Sequence, residues 1–249
     1  MFRNFKLGKK EARIDARTLK FENYADKGVL PAIPPAFNWS TKVKKWGMMK
    51  NDVIGDCTIA GAGHLVEAWT MNETGTEAII PDAQIVAAYS AITGYDPRTG
   101  ANDNGAVLLD VLRYWKAKGI GNHKIGAYVA VQPKNHAHVE AACYLFGGLY
   151  IGVNLPISAQ DQKIWDVPSE GTTGNGTPGS WGGHCVDIIN YNASGLTVVT
   201  WGMLQTMTWR FLDAYCDEIF AICSGDWLSK GKSPNGFTTA QLTADLAAL

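Results

Sequence analysis

The sequence predicts an α+β fold of two packed lobes, helical in its first half and β-rich in its second. Three observations lead there. Between residues 57 and 146 several runs carry helix-like apolar patterns, whereas after Gly148 runs of β-branched and aromatic residues take over. Helices followed by strands, without regular alternation, favour α+β over a parallel α/β sheet. The length of 249 residues suits one large domain or two closely packed lobes, and no internal repeat is present.

Taken in order, residues 1–34 form a polar, charged N-terminal arm or extension without strong periodicity. It is expected to be a packed or loose arm, although it could also lie over a cleft. Leu30-Pro-Ala-Ile-Pro-Pro-Ala-Phe37 follows, and its prolines enforce an extended path into the folded body. A helix is expected from Cys57 to about Met71, after a Gly55-Asp56 turn, with Ile59, Leu65, Val66 and Trp69 as its apolar face. Gly61 and Gly63 each cost about 1 kcal/mol against alanine, so this helix is expected to be buried against close neighbours. Further helices are expected over Asp82 to about Ile92, Ala106–Lys118 and His136–Phe146, with a loop at Gly94–Gly105. Leu149–Asn154, Cys185–Tyr191 and Leu196–Trp201 read as strands, the last two joined by an Asn192-Ala-Ser-Gly195 turn. Thr238 or Thr239 is placed to cap a short C-terminal helix ending near Leu249. The boundaries are about 35–135 for the helical lobe, about 136–230 for the β-rich lobe and 231–249 for a C-terminal tail and helix.

Composition excludes several classes. The formal net charge is −1, with no long Lys/Arg run, so a nucleic-acid or membrane-surface partner has no electrostatic support. No apolar run approaches the ~18 residues of a membrane span. The start, Met1-Phe-Arg-Asn-Phe-Lys-Leu-Gly-Lys-Lys10, lacks the apolar core of a secretory signal, and a cytoplasmic location is expected. Cys57, Cys143, Cys185, Cys216 and Cys223 are odd in number and widely spaced, which is neither a disulfide framework nor a zinc module. All five are expected to be reduced. His136 and His138 form a lone His-x-His, for which a surface or cap role is expected; no metal or cofactor is called for.

One cysteine carries chemistry. Cys57 falls at the first turn of its helix, where unpaired N–H groups and the macrodipole stabilise a thiolate. His184 follows Ser180-Trp-Gly-Gly, whose glycines let the backbone approach a neighbouring lobe closely. Asn51, six residues before Cys57, is placed to join the Cys57 N–H in binding an oxyanion. His64 lies two turns after Cys57, roughly 10 Å along the axis, and reads as a buried, hydrogen-bonded histidine.

These positions resemble the papain-like cysteine proteases, as a divergent member of bacterial or phage type. Pro35-Ala-Phe-Asn-Trp39, then Asn51, then Gly55-Asp56-Cys57 stand where that family has its proline-led opening, its oxyanion-hole Gln and its nucleophile. Trp181-Gly-Gly-His184-Cys-Val-Asp-Ile-Ile-Asn-Tyr191 and Leu196-Thr-Val-Val-Thr-Trp-Gly202 are similar to the family's Gly-x-His-Ala-Val and Asn-Ser-Trp-Gly strands. The likeness covers roughly residues 35–225. It implies a two-lobed papain-like fold, with an antiparallel β-barrel-like lobe and the active site in the cleft between the lobes. It further implies a thiolate–imidazolium pair of Cys57 and His184, and Trp201 shielding the histidine. Gly105 and Trp181 would line the substrate cleft, with Asp103-Asn-Gly105 in place of the family's Gly-Gly strip. The implied partner is a peptide or protein substrate. The signature Cys-Gly-Ser/Ala-Cys-Trp/Tyr is replaced by Ile54-Gly-Asp-Cys-Thr58, which removes a family disulfide.

The family's orienting asparagine is also replaced. Alignment on Trp201-Gly202 puts Val199 in its place, and counting from His184 puts Thr200 there. If Tyr191 pairs with Leu196 without a slip, Val199 lies on the His184 face; a one-residue slip brings Thr200 instead. Only Thr200 has an acceptor, so it is the first choice, followed by a backbone carbonyl. Gln205 remains open, while Asp187 falls on the opposite strand face. The expected function is a cysteine peptidase or related amide hydrolase. The alternatives are an acyltransferase or transpeptidase using the same site, and a catalytically silent papain-like fold used for binding or structure.

Overall fold

The computed structural model describes residues 5–25, 31–228 and 231–235. The chain opens with β1 (Leu19–Lys20), the one-turn α1 (Glu22–Ala25) and β2 (Phe37–Asn38). Three helices follow: α2 (Cys57–Thr74), α3 (Asp82–Thr93) and α4 (Leu108–Ala117). The remainder is β3 (Ile125–Ala130), α5 (His136–Phe146), β4 (Leu149–Leu155), β5 (Ile164–Trp165), β6 (Gly182–Asn192), β7 (Gly195–Thr200), β8 (Met203–Met207), α6 (Trp209–Tyr215) and β9 (Cys216–Ser224). The expected C-terminal helix lies outside the described residues.

Local chemistry explains the helix ends. α2, α3 and α5 stop at Gly75, Gly94 and Gly147, each left-handed, with its N–H returning to a carbonyl of the last turn. The Asn135 side chain accepts the His138 N–H and starts α5. α2 is buried on all sides over its first fourteen residues, which accounts for its glycines. A Cβ on Gly63 would stand 2.2 Å from Met49 Sδ, and one on Gly61 would press on Tyr150, Asp187 and Cys185.

Among the described residues nine strands join in the order β1-β3-β9-β4-β6-β7-β8-β5, with β2 on the side of β6. The expected α+β order, helices first and strands second, is present, and among the described residues the sheet of the barrel-like lobe is an open path and not a closed ring. β3 pairs antiparallel with β9, so the sheet also recruits residues that precede the expected lobe boundary. One continuous core runs from α2 through the sheet to Trp227. Among the described residues no helix is long and apolar enough to cross a membrane.

The β6–β7 hairpin decides which residue reaches His184. Tyr191 pairs with Leu196 at the turn, but the register shifts between Ile188 and Asn190. Both halves of the expectation therefore occur in one hairpin: unslipped pairing at the turn, and a one-residue slip at Ile189 before His184 is reached.

Candidate active site

Cys57 is the first residue of α2 and is almost fully buried, with relative exposure of 1%. Burial pushes its thiol up to about 12, against the opposing pull of the Cys185 and Gly8 backbone N–H groups. In this state Cys57 is a neutral thiol. Asp56, at the N-cap, makes no side-chain cap bond and is itself fully buried. Burial raises Asp56 to about 8, partly offset by Asn51, so its carboxyl is mostly neutral at pH 7. Ionised, it would push the neighbouring thiol further up.

His184 sits on β6 with no exposure. Its Nε2 lies 2.7 Å from Thr200 Oγ1, and its ring stacks on Trp201 with centroids 4.2 Å apart. Nδ1 has no hydrogen-bond partner among the described residues. Burial, helped by the charge of His64, lowers His184 to about 3, so the imidazole is neutral. The start of α2 faces the backbone N–H of Cys185, the residue that follows His184, and that N–H acts on the Cys57 thiol.

Asn51 is buried, and its Nδ2 donates to the Ile54 carbonyl at 3.3 Å. The same amide also acts on the Asp56 carboxyl, lowering it against the effect of burial. Asp103 fixes the approach to the nucleophile: its Oδ1 accepts the Gly55 N–H at 2.8 Å and the Tyr89 hydroxyl at 2.9 Å. Tyr89 in turn accepts the Gly105 N–H at 2.9 Å.

The arm lies in the cleft. Gly8 accepts the Ala106 N–H, Lys10 donates to the Ala106 carbonyl, and Lys9 donates to the Gly183 carbonyl, all at 2.8–3.0 Å. The arm thus forms a peptide strand between residue 106 and residue 183, and its Gly8 reaches the Cys57 thiol. Only glycine fits there, because a Cβ on Gly8 would stand 1.8 Å from the Gly55 carbonyl oxygen. Gly105 has the same constraint from the other side, with φ of +72° and Gly8 O 2.0 Å from its would-be Cβ. Phe5 stacks on Trp201, whose Nε1 donates to the Lys6 carbonyl at 3.1 Å, and Trp181 lies beside the same indole. Further along, Arg13 pairs with Asp110 of α4, and β1 pairs with β3.

The other candidates are accounted for elsewhere. His64 is buried, with Nε2 2.7 Å from the Gly47 carbonyl oxygen and Nδ1 3.7 Å from Asp187. Asp187 faces α2 and not His184, and Gln205 donates to the Lys163 and Thr206 carbonyls. Val199 is buried in a small cluster with Trp46, Ala68 and Ile189. His136 lies 2.8 Å from Asp213 and stacks on Trp209. All five cysteines are free. Sequence reasoning missed Asp56 as a buried neighbour of the nucleophile, although a carboxylate at a helix N-cap is a readable signal. Lys9, Asp217 and Glu218, which meet beside Gly183, left no local signal.

Comparison with known proteins supports the architecture. Xylellain, a cysteine protease from Xylella fastidiosa, superposes with a TM-score of 0.62 at 14% identity over 88% of this chain and 96% of that one. Procathepsin B from Trypanosoma congolense gives 0.62 at 11% identity, covering 88% and 86%. Procathepsin L 3 from Tenebrio molitor gives 0.59 at 9%, covering 89% and 77%. No family model matches the sequence, and no curated protein matches it. The chain has the papain-like fold.

Proposed function

We propose that the chain is a cysteine peptidase or related amide hydrolase, closed by its own arm. The observation that carries this reading is a peptide strand held in the cleft with Gly8 at Cys57, beside a histidine anchored by Thr200 under Trp201. A cleft that pairs with peptide backbone on both sides is suited to peptide substrates. Once the arm leaves, water and substrate reach Cys57 and the burial that keeps thiol and imidazole neutral is relieved. The proton then passes from Sγ to His184, and the thiolate attacks the substrate carbonyl. The Cys57 N–H is the first donor assigned to the resulting oxyanion, and the Asn51 amide, turned from the Asp56 carboxyl as the site opens, is the second. His184 returns the proton to the leaving amine, and a water, deprotonated by the same ring, hydrolyses the thioester. An amine in place of water would give acyl transfer, which product mass distinguishes.

The test uses the full chain with Lys9→Glu or Lys9→Ala, which release the arm's buried side chain, and follows Cys57 with iodoacetamide and peptide mapping. Cys57 should alkylate faster than in the parent chain, with peptide hydrolysis appearing in parallel and vanishing in Cys57→Ala. Alkylation without hydrolysis would favour the catalytically silent reading. Asn51→Ala should lower kcat by about 10²-fold with KM little changed, as for loss of one oxyanion donor.

A further inference from the structure

The side chain of Lys9 has no exposure and ends in a slot built from β4, β6 and β9. Its Nζ lies 2.7 Å from Asp217 Oδ2 and 3.6 Å from Glu218 Oε1. Successive residues of a strand face opposite ways, so two neighbouring carboxylates on one cation need an explanation. The register of β4 on β9 supplies it: Gly152 pairs with Glu218 but Val153 with Cys216, leaving Asp217 as a bulge. Asn154 Nδ2 donates to Asp217 Oδ2 at 3.0 Å and fixes that carboxylate.

The slot has features beyond its acidity. Glu218 is 8% exposed, and among the described residues neither of its side-chain oxygens has a hydrogen-bond partner. Gly152 forms the wall along the lysine stem, and a Cβ there would lie 2.1 Å from Lys9 Cε. The Lys9 backbone is held by the Gly183 carbonyl, one residue before His184, and a Cβ on Gly183 would meet Lys9 O at 2.2 Å. Space, charge and backbone pairing therefore fit one extended residue with a long cationic side chain, immediately beside the nucleophile.

We propose that this slot, lined by Gly152, Asp217 and Glu218, is a specificity site that selects a lysine or arginine near the reacting bond of a peptide substrate, Lys9 being its resident occupant in the closed chain. The proposal rests on the peptidase reading of the cleft, since the substrate takes the path the arm now holds. An uncharged residue would leave two carboxylates facing an apolar stem, whereas a cation is bonded by one and neutralised by both.

The experiment measures binding apart from catalysis. Acetylated, fluorescently labelled peptides with the sequence of residues 5–10, carrying lysine or its uncharged isostere norleucine at the place of Lys9, are titrated against the full chain. The chain carries Cys57→Ala with either Lys9→Glu or Lys9→Ala, so that it binds without turning over and its own arm no longer fills the slot. The lysine peptide should bind at least about tenfold more tightly, as expected for a buried charge-assisted bond. Adding Asp217→Asn and Glu218→Gln should erase that difference while leaving norleucine binding in place. Equal affinity of the two peptides, or binding of neither up to millimolar concentration, would overturn the proposal. Hydrolysis of a peptide panel by the Cys57-containing chain separates the two readings. Lysine-dependent binding without hydrolysis defeats the peptidase reading alone, and hydrolysis indifferent to basic residues defeats the slot alone.

Discussion

His184 and His64 are served by the same two elements, α2 and β6, yet they are held in opposite states. His184, on β6, has the Thr200 hydroxyl and the Trp201 indole against its ring. Burial has nothing anionic to oppose it there, and the ring is pushed down to about 3. His64 lies two turns further along the helix. Burial lowers it too, but Asp187, Glu67 and the Gly47 carbonyl outweigh that and hold it above its ordinary value. Asp187 and Glu67 are themselves raised to about 7 by burial, with His64 opposing. Strand alternation does the sorting: Asp187, three residues after His184, faces α2. The histidine held above its ordinary value thus shares the α2 side of β6 with Asp187, and the one pushed below it lies under Trp201.

The largest test of this contrast is to remove one member from each site. With the arm released, His184→Gln should lower kcat/KM by about 10³-fold or more, as for loss of a general base. Asp187→Ala should act on stability, by about 3–5 kcal/mol, because it strips a partner from a buried charged cluster. Its folded fraction should still alkylate at Cys57. Denaturant melts alongside active-site labelling read both, and an Asp187→Ala chain as stable as the parent would break the comparison.

The pH dependence of stability sharpens it. Asp187, Glu67 and Asp56 ionise near 4 when unfolded but hold their protons to about 7, 7 and 8 when folded. The folded state then binds more protons, so these groups remove stability as pH rises from about 4 to 8. His64, also raised, acts in the same direction through its folded value. His184 does the reverse: it is protonated below 6.5 when unfolded but only near 3 when folded, so its contribution is lost as pH falls between those values. Tm should therefore decline from pH 5 to 8. Asp56→Asn should flatten the part of that decline reaching pH 8, and His184→Gln should steepen it below 6.5. Melts across pH 4–9 decide; a Tm that rises from pH 5 to 8 would contradict the assignment.

Much of this arrangement is legible in the sequence, for identifiable reasons. α2, α3 and α5 announce themselves through apolar spacing and a glycine stop, and the β6–β7 turn through Asn192-Ala-Ser-Gly195. The placing of Cys57 at a helix start and of His184 after paired glycines is local and so readable, whereas Thr200 reaches His184 only through the slip at Ile189, which the pattern leaves open against Val199. β9 was missed although Ile219-Phe-Ala-Ile-Cys223 is strand-like, and α6 although Thr208 caps it by accepting the Phe211 N–H. β8 is harder, a short run of Met, Leu, Gln and Thr with no β-branched core. The arm could not be placed from its own pattern. Its strand exists because residues 106 and 183 offer backbone partners from either side, and its depth because Gly8, Gly105, Gly152 and Gly183 leave room. The acidic slot depends on a bulge at Asp217 that only the pairing partner reveals.

The smallest expected effect falls on Thr200. In a cysteine–histidine pair one ring nitrogen must be anchored so that the other faces the thiolate. On the proposed peptidase reading that anchor is Thr200 Oγ1, which lies 2.7 Å from Nε2, delivered by the slip at Ile189 and covered by Trp201. A hydroxyl is a neutral acceptor, so it orients the ring without adding charge, and one such bond is worth about 1 kcal/mol. Thr200→Val keeps the shape and removes the acceptor. In the arm-released chain it should lower kcat by about fivefold, leave KM nearly unchanged and shift the alkaline limb of Cys57 alkylation upward, because the ion pair is less populated. Thr200→Ser should restore both readouts, which a merely structural role would not require. If Thr200→Val altered stability alone and left the pH profile in place, the stack on Trp201 would suffice to hold the ring.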